Sequence, residues 1–391
     1  MKIIWLTVSI LFACLILTAP SAKAKAPSDL SFYNPPSKLI AGKEGSVIWS
    51  RVSKEPSVHL SSSAKTTLIL YRMRGVLGKT VPVSGTLDVP RGKKPKNGWP
   101  IISWGHGTVG MADVCAPSRG SGMTGDYILY TQNLYNKFLR AGFAVVRSDY
   151  EGLGTPGPHP YLIGPSEGRS MVEIVTAARQ LDKSLGTRLI VAGHSQGGQS
   201  GLFAAPLVAS LTPKIELKGV LVYAPASHFY QQKTLLPLLS SPSPLSALAT
   251  MILTSAAREA KVNAAPLLSD PAQAFLPQLE QVCSPQLAGA DSFGGLAPST
   301  LLREGADLGA VDGQLLAMNP SVKLKTPALI MQGASDSTVF PNFTQDLVNE
   351  ITPKSKVKPT YKIYPGLTHS TIVTDPAVQA EALVWIKKAA R

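Results

Sequence analysis

Gly193-His194-Ser195-Gln196-Gly197-Gly198 follows the apolar run Arg188–Ala192 and leads into a stretch with helical character from about Gln196 onward. The hexapeptide fits G-x-S-x-G. Between a strand and a helix, that pattern describes a sharp turn that lifts a serine hydroxyl above the end of a sheet. Gly193 and Gly197 carry no Cβ, so neighbouring backbone is free to come close. The Gln196 N–H is expected at a helix N-terminus, where its partial positive charge suits an oxyanion. A chance G-x-S-x-G in a surface loop is the alternative, and the strand-turn-helix setting argues against it.

Outward from this turn the chain alternates strand and helix patterns. Thr66–Arg74 and Val81–Val89 are β-rich runs separated by Gly75 and Gly78, which predicts antiparallel leading strands. Residues 27–60, rich in Pro and Ser, are expected to be an N-terminal arm. Trp99–Trp104 and Phe143–Arg147 are short apolar strands flanking a helix at Tyr127–Arg140. A second helix carries Val172, Val175, Leu181 and Leu185 on one face, with Ser166 as expected cap and Gly186 as stop. Val220–Tyr223, Ala328–Gln332 and Tyr361–Tyr364 are further strands, and Pro376–Ala390 is the last helix. This alternation predicts an α/β chain with a mostly parallel sheet.

The rhythm breaks between Val220–Tyr223 and Ala328–Gln332, where Leu, Ala, Ser and Pro dominate without a clear strand. Leu245–Ala257 is apolar but too short to span a bilayer. The expected organisation is a core of residues 25–226 and 321–391 with a helical cap or lid at 227–320. An irregular extension of the core is the alternative.

A serine hydroxyl is a weak nucleophile and needs an oriented base. In chain order an acid and then a histidine are expected after the turn. Asp336 lies just past the strand Ala328–Gln332, and His369 lies on the loop between the last strand and the last helix. Both then fall on the carboxyl edge of the sheet with Ser195. Asp307, Asp312 and Asp346 compete for the acid but fall in the insertion or on a helix, where solvated surface carboxylates are common. His59, His106, His159 and His194 precede Ser195, and His228 precedes Asp336. Trp104-Gly105-His106-Gly107-Thr108 follows a strand, so the Thr108 N–H is the expected second oxyanion donor beside Gln196. His106 is expected to brace that loop. Asp149-Tyr150-Glu151-Gly152 offers two carboxylates, but a Gly-rich turn held by carboxylate–backbone bonds is the simpler expectation. No zinc spacing, P-loop or dinucleotide fingerprint is present, so neither metal nor cofactor is expected.

Lys2, the apolar run Ile3–Leu17 and two small-x-small sites at Ala22-Lys23-Ala24 and Ala24-Lys25-Ala26 describe a signal peptide, residues 1–24. An uncleaved anchor is the alternative. The expected location is secreted or periplasmic, after cleavage near Ala24 or Ala26. Cleavage removes Cys14 and leaves Cys115 and Cys283, an even pair that is either a disulfide or two separate buried thiols. The 391 residues are 44% hydrophobic and 16% charged, enough apolar matter for one large core. The net charge of +14 is spread thinly, with Lys93, Lys94 and Lys96 the densest cluster, and no stripe points to nucleic acid. The excess charge serves solubility or a transient contact with an anionic lipid surface. No stable protein partner is implied.

These segments together resemble the secretory lipase family, the Candida-type lipase A-like group of the α/β-hydrolase superfamily. The resemblance rests on Phe32-Tyr33 with Pro35-Pro36, His106-Gly107-Thr108 with Cys115-Ala116-Pro117-Ser118, Asp149-Tyr150-Glu151-Gly152-Leu153-Gly154, the turn at Ser195, and the closing Asp336 and His369. It implies an α/β-hydrolase fold, a helical lid that builds an acyl pocket, and hydrolysis of triacylglycerols or other carboxylic esters. A serine peptidase or acyltransferase on the same triad, and a non-catalytic binding protein of this fold, are the competing expectations.

Overall fold

A computed structural model describes residues 25–120, 122 and 126–391; the expected signal peptide lies outside the described residues. Nine strands form one sheet: β1 (Val47–Val52), β2 (Ser63–Arg74), β3 (Thr80–Pro90), β4 (Trp99–Gly105), β5 (Ala144–Ser148), β6 (Leu185–His194), β7 (Glu216–Tyr223), β8 (Ala328–Gly333) and β9 (Thr360–Tyr364). Their spatial order is β1-β2-β3-β5-β4-β6-β7-β8-β9. The first three and β5 pair antiparallel, and every pair from β5–β4 onward is parallel. Parallel strands end on one side, so the loops after β4, β6, β8 and β9 share one rim.

Alternation along the central strands divides the core. Ile102 and Trp104 of β4 and Ile190 of β6 join a cluster with Leu134 and Phe138 of the helix Asp126–Arg140 and Ile386 of the helix Pro376–Ala389. Ile101, Leu189 and Val191 face the other way, onto Met171, Val175 and Ala178 of the helix Gly164–Leu181 and onto Val208 of the helix Gln196–Leu211. A strand covered on both faces has no solvent side, which is why these strands are runs of apolar residues.

Three local expectations are corrected. Residues 27–60 are not only an arm, because β1 lies within them and pairs with β2 at the sheet edge. Ser166 does not cap the helix Gly164–Leu181; Ile163 holds the cap position, and the Ser166 hydroxyl donates to Glu151 Oε2 at 2.5 Å. Gly186 does not stop that helix, which ends at Leu181; it lies inside β6, where a Cβ would meet the Asn97 carbonyl oxygen at 2.4 Å.

Between β7 and β8 the chain forms helices and short helical turns, including Leu245–Glu259 and Gly309–Ala317, with one isolated bridge between Leu268 and Leu302. Its buried Met251, Leu253, Leu268 and Leu315 belong to the same apolar cluster as Trp104 and Tyr223 of the sheet. Cys115, in the loop after β4, forms a disulfide with Cys283 in this insertion, 168 residues later in sequence. Among the described residues no helix is long and apolar enough to cross a membrane.

Candidate active site

Ser195 occupies the turn from β6 into the helix Gln196–Leu211 with φ 59° and ψ −118°. For a residue with a Cβ this is strained backbone. It persists because the surroundings over-determine it: the Ser195 N–H donates to the Tyr223 carbonyl at 2.9 Å, and its carbonyl accepts from Gln199 N at 3.0 Å. The two flanking glycines are required by packing. A Cβ on Gly193 would meet the Gly197 carbonyl oxygen at 2.1 Å, and one on Gly197 would meet the Gly105 carbonyl oxygen at 1.9 Å. The turn therefore packs directly on the end of β4, which carries the loop with Thr108.

His369 and Asp336 meet as the chain order requires. His369 Nδ1 donates to Asp336 Oδ2 at 2.8 Å, and the Asp336 side chain is fully buried. Asp336 Oδ1 accepts from the backbone N–H groups of Thr338 and Val339 at 2.8 and 2.9 Å. Gln332, at the end of β8, donates its amide to Oδ2 at 3.1 Å and is itself oriented by the Thr344 hydroxyl at 2.8 Å. Four donors hold one carboxylate and leave it little freedom. The rival acids stand elsewhere: Asp307 accepts its own turn's Gly309 N–H at 2.8 Å, and Asp312 pairs with Lys233.

His194 adds a contact that motif reading missed. Its Nε2 donates to the His369 carbonyl at 2.9 Å, and the two rings lie 4.5 Å apart. Burial pushes His194 well below the usual histidine range, so it is a neutral brace. His106 is also neutral, pushed down to about 4 by burial. It packs on Tyr150 at 4.4 Å, and its Nδ1 lies 2.7 Å from the Gly107 carbonyl. His228 contacts Glu350 at 3.2 Å through Nε2.

Gln196 begins its helix, so its backbone N–H has no intrahelical acceptor. Thr108 lines the same cavity as Ser195, Gln196 and His369, and its hydroxyl shares a hydrogen with the Tyr161 hydroxyl at 2.6 Å. That cavity holds about 250 Å³ and runs into the insertion along Leu236, Leu248, Ile252, Leu253 and Leu302. The described lining contains one cation, Lys233, and no aspartate or glutamate.

The carboxylates of the Asp149–Glu151 turn are occupied by protein donors. Asp149 accepts from Ser118 N at 2.9 Å and from the Ser84 hydroxyl at 2.6 Å; Glu151 accepts from Val76 N and the Ser166 hydroxyl. Among the described residues no group of His, Cys, Asp and Glu is arranged to hold a metal ion.

A strained serine at a strand-to-helix turn, facing one cavity with an acid-paired histidine, sits on the sheet of an α/β-hydrolase. The chain belongs to the serine aminopeptidase S33 family of hydrolases, whose model matches residues 121–376. In fold it is similar to the rice cell wall degrading esterase LipA from Xanthomonas oryzae, with a TM-score of 0.73 and 17% identity over 90% of this chain and 100% of that one. It is similar also to lipase A from Candida antarctica in its closed state, with a TM-score of 0.72 and 20% identity over 94% of this chain and 87% of that one. A comparison with curated protein sequences finds no match.

Proposed function

We propose that the protein is a secreted serine esterase of the lipase type, cleaving carboxylic esters that carry an extended acyl chain. The observation that carries this is the lining of the cavity: leucine-rich, continuous with Ser195, and without an aspartate or glutamate among the described residues. An aminopeptidase needs a counter-charge for the substrate's α-ammonium group, and an unpaired cation in an apolar cleft is costly. The family's name therefore describes the shared hydrolase machinery better than this chain's substrate. The Xanthomonas and Candida proteins are named an esterase and a lipase, which accords with the same choice.

Ser195 Oγ attacks the ester carbonyl carbon while His369 Nε2 takes its proton. The developing oxyanion is received by the backbone N–H groups of Gln196 and Thr108. The intermediate collapses to an acyl-enzyme as the protonated His369 gives its proton to the leaving alcohol, and water activated by His369 then releases the acid. Asp336 fixes the Nδ1–H tautomer and stabilises the imidazolium. Residues 227–320 act as the cap that builds the acyl site, and the outward-facing Leu238, 73% exposed, suits brief contact with a lipid surface. The disulfide fits an exported protein and the signal peptide expected at residues 1–24.

The test is a graded series of p-nitrophenyl esters run beside an aminoacyl p-nitroanilide. Ester turnover that rises with acyl length, without anilide turnover, is expected. Anilide turnover exceeding ester turnover would refute the substrate class.

A further inference from the structure

Behind Gln196 the protein buries a second carboxyl that the triad does not use. Glu167, in the first turn of the helix Gly164–Leu181, is 0% exposed. Among the described residues no lysine or arginine pairs with it; the nearest basic group is His159 Nε2, 3.8 Å from Oε1. That ring is neutral, pushed down to about 3 by burial, and its Nδ1 donates to the Glu151 carbonyl at 2.8 Å. A buried carboxyl without a counter-charge is expensive and calls for a physical reason.

Its hydrogen bonds supply one. Oε1 accepts from the Gln196 side-chain amide at 2.7 Å and from the Leu162 N–H at 2.7 Å. The second amide hydrogen of Gln196 points at His159 Nε2, 3.2 Å away, so both hydrogens of that side chain are held. Leu162 has a left-handed φ of 59°, and its neighbour Tyr161 carries the hydroxyl bonded to Thr108. One carboxyl thus grips the residue bearing one candidate oxyanion donor directly, and reaches the residue bearing the other through Leu162 and Tyr161. Ser200 Oγ lies 2.5 Å from Oε2 and 2.8 Å from the Gln196 carbonyl oxygen. The Tyr150 hydroxyl, also bonded to Ser200, donates its proton to the His106 carbonyl at 3.0 Å, so the one serine proton cannot serve both oxygens, and both contacts are satisfied when the carboxyl carries its own proton. Burial pushes the carboxyl up to about 7, in keeping with that state.

We propose that Glu167 is a positioning residue that, as the neutral acid, sets Gln196 and Thr108 at the spacing needed to receive the oxyanion formed at Ser195. The proposal rests on the ester-hydrolase assignment above. It makes a glutamine an isosteric stand-in, with the amide donating to Ser200 and the carbonyl accepting from Gln196 and Leu162. A leucine of similar size cannot take that place.

The experiment compares Glu167→Gln and Glu167→Leu in the mature enzyme, with a short p-nitrophenyl ester, on the acid side of neutrality. Glu167→Leu is expected to lower kcat about 100-fold, the scale of a misplaced oxyanion donor, with KM within about threefold. Glu167→Gln is expected to keep kcat within about threefold of wild type, a rescue that mere filling of volume does not give. Unchanged kcat in Glu167→Leu, or a Glu167→Gln loss as deep as that of Glu167→Leu, would overturn the proposal while wild-type turnover leaves the esterase assignment standing. Absence of ester turnover in the wild type would overturn both. If Glu167→Leu does not fold, Gln196→Leu removes the same amide grip and must show the same loss of kcat at preserved KM; an unchanged kcat there refutes the proposal.

Discussion

Replacing Asp336 by asparagine separates orientation of His369 from the integrity of the fold. Asp336 presents two oxygens to four donors: Thr338 N and Val339 N on Oδ1, His369 Nδ1 and Gln332 Nε2 on Oδ2. An asparagine has one acceptor oxygen. Leaving two buried backbone N–H groups unsatisfied costs about 1–3 kcal/mol each, so the oxygen is expected to stay with Thr338 and Val339. The amide nitrogen then faces His369 Nδ1 and Gln332 Nε2, donor against donor. His369 escapes the conflict by moving its proton to Nε2, which turns a base toward Ser195 into a donor. The corresponding change in the chymotrypsin-type triad costs ~10⁴ in kcat, about 5.5 kcal/mol at 1.36 kcal/mol per decade. Stability falls by the conflict with Gln332 alone, about 1–3 kcal/mol. Steady-state kinetics on a p-nitrophenyl ester, with a thermal melt of the same sample, measure both. A kcat loss under tenfold with the fold intact, or a larger loss in Asp307→Asn or Asp312→Asn, would refute the reasoning.

Leu253→Trp narrows the cavity beside Ile252 and Leu302, so the preferred acyl chain should shorten; each CH₂ that no longer fits costs about 0.8 kcal/mol, roughly fourfold in kcat/KM, and an unchanged chain-length profile would place the acyl site elsewhere. Reducing Cys115–Cys283 opens a 168-residue span and should cost about 5 kcal/mol by loop closure, read as a lower thermal midpoint; two free thiols in the purified, unreduced protein would contradict the bond. Glu167 rises from 4.5 to about 7 on folding, so the folded chain holds this proton more tightly than the unfolded chain. The stability it contributes is complete below about 4.5 and lost as pH rises through 7, about 3 kcal/mol in all, and the fall in thermal midpoint between about pH 5 and pH 8 should be shallower in Glu167→Gln. Equal slopes in both proteins would contradict it.

Much of the sheet was legible because buried parallel strands are apolar by necessity, and Leu189–Val191 or Ile330–Met331 have no other place to go. The edge strand β1 was not legible: Val-Ile-Trp-Ser-Arg-Val shows no clean alternation and pairs on one side only. Ser195, Asp336 and His369 stood out because each follows a strand in a fixed order. Glu167 did not, since an acid in the first turn of a helix is ordinarily an exposed complement to the helix dipole. His159 and Gln332 were hidden for a similar reason; their roles depend on which distant side chain they meet. Gly186 misled because a glycine after a helical pattern usually ends the helix, and here it admits the backbone of Asn97 instead.

The central claim is an acyl-enzyme on Ser195, and rapid-quench intact mass spectrometry with a slowly deacylating p-nitrophenyl ester tests it most directly. The protein is expected to gain the mass of one acyl group, mapped to the peptide containing Gly193-His194-Ser195-Gln196-Gly197, with no gain in Ser195→Ala. Acylation mapped to another residue, or full ester turnover in Ser195→Ala, would contradict it.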